Sequence, residues 1–390
     1  MRVAINGKPA FEKARTGIEE YTYQLLRQWA QVGPKAEVIK IFTQRLPDRG
    51  SSPGQTLEDY FGGQLPDTMS FEVLRAKRLW TQLRLGWALL KEQPDVFFNP
   101  MQILPRYAPP RSVVTVHDLG YEYFPQAHSQ FHFRYLRLTT QDAVKRARAV
   151  IAVSENTKQD LINRYGVPRG KIVVIHHGFS QPDLSEGRSL SEITKTPEST
   201  FNLGSRPYFL YLGRLEARKN LETLFRAFEI LKFRQQLPHQ LILAGQPGFG
   251  YDKIKAALES SPARGEIKEV GHIHGAAKFR CLKDASALVL ASWYEGFGLP
   301  VLEAQALGVP VVASAISSLP EVGGQGAVYI DPKNEEALAD ALYKLVSFPQ
   351  FRAHYIQHGF KNTRRFSWRA TAEATWRVIE DVARARVYFE

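Results

Sequence analysis

Cysteine is all but missing from this sequence: Cys281 is the single one in 390 residues. One thiol cannot close an internal disulfide, so a disulfide scaffold and a cysteine-built zinc site are excluded, and a reducing compartment is expected. Long apolar runs are missing too. No stretch approaches the roughly 18 residues that cross a bilayer, and the strand-like residues 1–6 are followed by no leader-like apolar region. The expectation is a cytoplasmic chain without a membrane span. There is no repeat at a period of roughly 20–50 residues, no low-complexity tract and no sustained heptad, which removes solenoids and coiled coils.

What is present is the composition of packed cores, with 44% hydrophobic and 23% charged residues. The length suits two domains of about 150–200 residues each. Lys and Arg total 51 against 39 Asp and Glu, a formal charge of +12. That surplus favours anionic partners, whether phosphates, nucleic acid or an acidic lipid surface, and does not choose among them.

Short β-branched runs alternate with helical patterns. Residues 2–6, 37–42, 95–99, 112–116, 149–153 and 171–175 are apolar almost throughout, as strands are when both faces of a parallel sheet are covered. A second series, 207–212, 240–244, 287–291, 310–313 and 327–330, follows the same plan, with amphipathic segments such as 221–231 and 335–345 interposed. The fold class is therefore α/β, with two doubly wound domains at 1–180 and 207–365. Residues 181–206, rich in Ser, Thr, Glu, Pro and Gly, are expected to link them. Residues 366–390 read as a helix offering Trp368, Trp376, Ile379 and Val382 for packing. The pattern leaves open whether it closes the second domain or returns to the first.

In open α/β sheets ligands bind beyond the carboxyl ends of strands, so polar residues placed there come first. Gly17 opens an amphipathic helix after the first strand, where backbone N–H groups and the helix dipole favour an anion; a plain helix start explains it equally well. His117 directly follows the run 112–116, placed to hydrogen-bond a hydroxyl or move a proton, or simply to sit in a loop capped by Asp118. Arg214 and Lys219 flank a loop-to-helix junction suited to a diphosphate, against the alternative of a solvated charge run. After the run 287–291 come Glu295, Gly296, Phe297, Gly298 and Leu299, with Pro300 in a first helical turn and Glu303 about one turn in. Paired carboxylates accept hydroxyl hydrogen bonds well, so one suits a sugar ring and the other a ribose. A contact with the helix dipole accounts for Glu303 but poorly for Glu295.

Taken together and in order, the His117-Asp118 pair, the Gly213-Arg214 to Lys219-Asn220 segment, the Glu295 to Glu303 spacing and Ser317-Ser318-Leu319-Pro320-Glu321 resemble the retaining GT-B glycosyltransferases of family 4. The likeness runs from Thr16 to about Pro332. It implies two Rossmann-like halves facing a central cleft, with a nucleoside-diphosphate sugar held mainly by the second and a glycan or lipid-linked saccharide acceptor facing the first. A hexosyl unit, mannosyl or glucosyl, is the expected cargo, in surface-polysaccharide assembly. The resemblance assigns Arg214 and Lys219 to the diphosphate, Glu295 to sugar hydroxyls and Glu303 to the ribose. It assigns Gly296, Phe297, Gly298 and Leu299 to sugar and phosphates, Gly17 to the phosphates, Ile273 to the nucleobase and His117 to the sugar. It implies retention without a protein nucleophile, and neither cofactor nor metal. His176-His177-Gly178 departs from the commoner Asn-Gly turn of the family.

Neighbouring histidines at 176 and 177, and at 272 and 274, lack the carboxylate or cysteine that would complete a metal site. Residues 72–92 carry Trp80, Trp87 and several leucines with Arg75, Lys77, Arg78, Arg84 and Lys91, a basic amphipathic pattern. Such a helix lies on an anionic membrane or covers a sheet; the second is the simpler reading. Three readings compete with this one: a nucleic-acid-binding protein, for which no binding module is recognisable, an idle nucleotide-binding regulator of the same fold, and a nucleotide-sugar epimerase.

Overall fold

The computed structural model describes residues 1–12, 17–46, 56–76, 79–179, 206–273 and 275–384. Most of the expected 181–206 linker, and Thr16, Lys77, Arg78 and His274, lie outside the described residues. The chain divides into two compact units: Met1–Glu122 with Ser129–Gly178 and Phe366–Glu390, and Tyr123–His128 with Phe179–Arg365.

The first unit is built on a parallel sheet of β1 (Arg2–Asn6), β2 (Val38–Thr43), β3 (Met69–Val73), β4 (Val96–Asn99), β5 (Ser112–Val116), β6 (Ala149–Ala152) and β7 (Ile172–Val174). Their order is β3-β2-β1-β4-β5-β6-β7, and Val3 is aligned with Ile39 on one side and Val96 on the other. β4 and β5 are buried at every position, which explains why Val and Phe dominate them. Successive residues serve opposite faces: Phe98 joins a core with Trp29 and Ile379, and Phe97 one with Trp80 and Leu161.

The terminal helix, Trp368–Ala383, lies in the first of these cores through Trp368, Trp376, Ile379 and Val382. Trp29 Nε1 donates to Ala372 O at 3.0 Å, and the rings of Trp29 and Trp376 meet edge to face at 5.5 Å. The helix therefore belongs to the first unit. Gly178 makes room for it, because a Cβ there would lie 2.1 Å from Trp368 N.

The second unit repeats the plan with β8 (Tyr208–Leu212), β9 (Gln240–Ala244), β10 (Ile267–Gly271), β11 (Ala287–Leu290), β12 (Val311–Ser314) and β13 (Ala327–Ile330), all parallel, in the order β10-β9-β8-β11-β12-β13. Each sheet grows outward from its first strand and then reverses direction, between β1 and β4 in one unit and between β8 and β11 in the other. Such switch points leave a crevice at the strands' carboxyl ends.

Two strands escape the sequence pattern. β3 and β10 are edge strands with several half-exposed residues, so they lack a continuous apolar run. The expected helix over 72–92 begins later than its pattern suggested: Glu72 and Val73 end β3, and helix runs only from Trp80, as a π-helical segment Trp80–Leu85 continuing into Gly86–Glu92. Among the described residues no helix is long and apolar enough to cross a membrane.

Candidate functional site

The loops that leave β8 and β11, the two strands at the second unit's switch point, carry a connected polar cluster. Beyond Leu212 the chain bends at Gly213 (φ +152) and crosses Gly245, where an added Cβ would lie 1.8 Å from Gly213 O. Only glycine fits there. Leu215 N donates to Gln246 O and Gly248 N to Leu215 O, both at 2.9 Å, and Tyr211 Oη donates to Arg214 O at 2.6 Å. The loop then tightens into one turn, Ala217–Lys219. Asn220, in the left-handed conformation (φ +57), ties that turn to the neighbouring strand ends by donating to Ala291 O at 2.9 Å and Pro332 O at 2.7 Å.

This geometry presents Lys219 to Glu295. Lys219 Nζ donates to Glu295 Oε1 at 2.5 Å, and Ser292 Oγ donates to the same oxygen at 2.7 Å. Arg218 Nη1 reaches Glu295 Oε2 at 3.2 Å and Tyr294 O at 2.9 Å, while Arg218 Nε pairs with Glu216 at 2.5 Å. Lys219 and Glu295 are 8% and 7% exposed, too deep for an unpaired charge. Burial alone would raise the Glu295 carboxyl. Lys219 and Arg218 outweigh it, with hydrogen bonds from Lys219 and Ser292, and hold it down at about 2. For Lys219 burial prevails and lowers the ammonium, against the opposing pull of Glu295.

The Glu295 backbone is clasped from the end of β12. Ser317 Oγ accepts from Glu295 N at 3.0 Å and donates to Glu295 O at 2.6 Å, and Ser318 Oγ lies 2.8 Å from Glu295 O and 3.0 Å from Phe297 O. Gly298 (φ +103) then starts the helix Leu299–Ala306. An added Cβ there would come within 2.9 Å of Leu319 Cδ2, so both conformation and space call for glycine. Glu303, in that helix, pairs with Lys278 at 2.6 Å. Ile273 and Phe297 are buried, each 6% exposed.

Of the residues singled out by sequence, the structure brings Lys219 and Glu295 into direct contact and places Gly296, Phe297, Gly298 and Leu299 immediately beyond. Arg214 stands apart: it is exposed, and its side chain makes no hydrogen bond or ion pair with any described residue. Arg218, Ser292, Ser317 and Ser318 also touch Glu295, and the sequence alone does not mark them as site residues. Arg218 adjoins Lys219 and Ser292 precedes Glu295 by three, but which neighbour of a charged residue turns inward is set by the loop, not by spacing.

In the first unit, His117 does follow β5 at its carboxyl end, and it is buried among aromatic rings. His117 Nε2 lies 2.8 Å from Pro100 O, which can only accept, so this nitrogen carries the proton. His117 Nδ1 then accepts from His177 Nε2 at 3.3 Å. Tyr21 meets His117 edge to face at 5.0 Å and lies tilted against His177 at 4.8 Å. Burial lowers both imidazoles, His177 the further, with His117 and His176 adding to it. The pair is neutral near pH 7. Gly17 opens the helix Gly17–Val32, and an added Cβ would meet nothing within 4 Å. No group of three or more His, Cys, Asp or Glu among the described residues is placed to hold a metal ion.

Comparison with known proteins matches both units. The family model described as Glycosyltransferase Family 4 covers residues 15–180, and the one described as Glycosyl transferases group 1 covers residues 192–362. The chain is 27% identical over 360 residues to the O-antigen chain mannosyltransferase B of Escherichia coli, covering 90% of this chain and 93% of the relative. Among solved structures it resembles a sucrose-phosphate synthase from Thermosynechococcus elongatus, with a TM-score of 0.70 and 20% identity over 98% of this chain and 99% of that one. It also resembles Anabaena HepE in complex with UDP and glucose, with a TM-score of 0.69 and 17% identity over 97% and 99%. These two likenesses concern the fold, which is GT-B.

Proposed function

The chain belongs to glycosyltransferase family 4, and from that premise we propose that it moves a mannosyl unit from a nucleoside-diphosphate sugar to a glycan or lipid-linked saccharide acceptor, with retention of configuration. The observation that carries this reading is the buried Lys219–Glu295 pair, fixed at the switch point by Asn220 and the two serines. The choice of mannose is supported by the name of the Escherichia coli relative. An epimerase, an idle regulator or a nucleic-acid-binding protein is not favoured by the family matched.

Lys219 has three N–H donors and spends one on Glu295. The others are assigned to a phosphate oxygen, with the exposed guanidinium of Arg214 on the same diphosphate. As the bond from the anomeric carbon to the phosphate oxygen breaks, negative charge grows on the leaving group, and these cations stabilise it more than they stabilise the intact donor. They fill the role that a metal ion takes in other diphosphate sites. Glu295, ionised because its carboxyl is held at about 2, accepts hydrogen bonds from sugar hydroxyls. Two cations and a serine engage its oxygens, which suits positioning rather than nucleophilic attack. The acceptor hydroxyl is assigned to the face that the phosphate leaves: its oxygen bonds to the anomeric carbon and its proton passes to the departing phosphate. Glu303 is assigned to the ribose and Ile273 to the base. Gly17 is assigned to the phosphates, and His117 to the sugar in exchange for one of its present partners, Pro100 O or His177.

Thermal melting with UDP-, GDP- and ADP-sugars tests the donor. A sugar nucleotide at about 100 times its Kd stabilises the protein by about 2.7 kcal/mol, and the one that does so is expected to give transfer that Glu295→Ala abolishes. If none stabilises the protein, or if Lys219→Ala transfers sugar as well as wild type, the assignment fails.

A further inference from the structure

Glu303 shares its place with a cation from a different helix. Its Oε1 accepts from Lys278 Nζ at 2.6 Å, and its Oε2 makes no hydrogen bond with any described residue. Lys278 lies in the helix Gly275–Lys283, which follows β10 and begins two residues beyond the buried Ile273. Glu303 lies in the helix that follows β11.

Helix stability does not account for Lys278. It is the fourth residue of its helix, where a cation opposes the helix dipole, and no acidic residue in the first turn offsets it. The ammonium is instead held from two sides, by Glu303 and by the ring of Phe279, whose centroid is 4.7 Å away. The side chains of Lys278 and Glu303 keep 24% and 13% exposure, so the pair is open to a ligand. Lys278 has three N–H donors and uses one on Glu303, which leaves two.

A hydroxyl both donates and accepts, and the 2′- and 3′-hydroxyls of ribose stand side by side. A carboxylate alone takes only their protons. A carboxylate beside an ammonium also supplies a donor: Glu303 Oε2 accepts the O–H of one hydroxyl, and Lys278 donates to the oxygen of the other. We propose that Lys278 is a specificity-determining residue that holds one ribose hydroxyl while Glu303 holds the other, so that the site takes ribonucleotide donors in preference to deoxyribonucleotides. The proposal rests on the sugar-transfer reading, which assigns Glu303 to the ribose.

The test is calorimetric titration with whichever of UDP, GDP and ADP stabilises the protein, beside its 2′-deoxy and 3′-deoxy forms. Each deoxy form should bind the wild type about tenfold or more weakly, because each lacks one hydrogen bond to a charged group. Lys278→Met keeps the stem and removes the ammonium. It should bind the ribonucleotide about tenfold more weakly than the wild type does and lose the preference for one hydroxyl only, with the other preference intact. Lys278→Arg, which keeps the charge and the donors, should restore most of the lost preference, and melting without nucleotide checks that both variants fold. The proposal is overturned, with the sugar-transfer reading left standing, if Lys278→Met binds all three nucleotides in the wild-type ratios. It is equally overturned if both preferences fall together, which would mean that Lys278 acts only through Glu303, or if the ribonucleotide binds Lys278→Met more tightly, which would make the ammonium a competitor for the carboxylate. If no nucleoside diphosphate binds the wild type, the sugar-transfer reading itself fails, and the role of Lys278 with it.

Discussion

Replacing Glu295 with Gln keeps the shape of the side chain and removes its charge. The carboxyl is held at about 2 in the folded protein against an ordinary 4.5, so the folded state binds its proton less readily than the unfolded chain does. Stability from this source is full above the ordinary value and declines as pH falls through it, vanishing below about 2. A depression of that size corresponds to about 3 kcal/mol at neutral pH, and about half of it is lost near pH ~3.3. Glu295→Gln also leaves Lys219 buried with its main partner gone, a change that typically costs about 3–5 kcal/mol. Urea unfolding of wild type and Glu295→Gln at several pH values between 7 and ~3.5 measures the difference directly, and other carboxylates cancel in the comparison. We expect the wild type to lead at pH 7 and its lead to shrink by about 1 kcal/mol by pH ~3.5. A lead that stays constant over that range would refute an ionised, cation-held Glu295.

Three further outcomes follow from the same geometry. Trp376→Ala should destabilise the first unit by about 3–5 kcal/mol in urea unfolding, because its ring packs against Trp29 in the core. Gly245→Ala cannot keep the loop over it, since the new methyl would lie 1.8 Å from Gly213 O; calorimetric titration with the identified donor should show binding lost, although Lys219 and Glu295 are intact. Glu303→Gln removes a charged acceptor worth roughly 1.5–3 kcal/mol, so the donor KM should rise by about tenfold or more with kcat little changed. A fall in kcat at constant KM would instead place Glu303 at the reacting centre.

Much of the architecture was already present in local pattern. Central strands such as β5 and β11 are buried on both faces, so their sequences are mostly apolar and their carboxyl ends could be located to within a residue. The half-exposed edges β3 and β10 carry no such run and went unrecognised. The same limit applies to the segment 72–92, whose apolar residues mark a helix but do not say which of its two faces meets the sheet.

By itself the sequence determined two parallel α/β units, the strand ends that carry polar residues, and the glutamates, lysine and glycines of the site, because each is a property of neighbours along the chain. Only the tertiary structure decided that Lys219 meets Glu295 from a loop 76 residues away, that Arg218 rather than Arg214 joins them, that His117 pairs with His177, and that the last helix packs in the first unit. Those choices depend on the free energy of burying a charge or an aromatic ring against a distant partner, and no window of local sequence contains both members of such a pair.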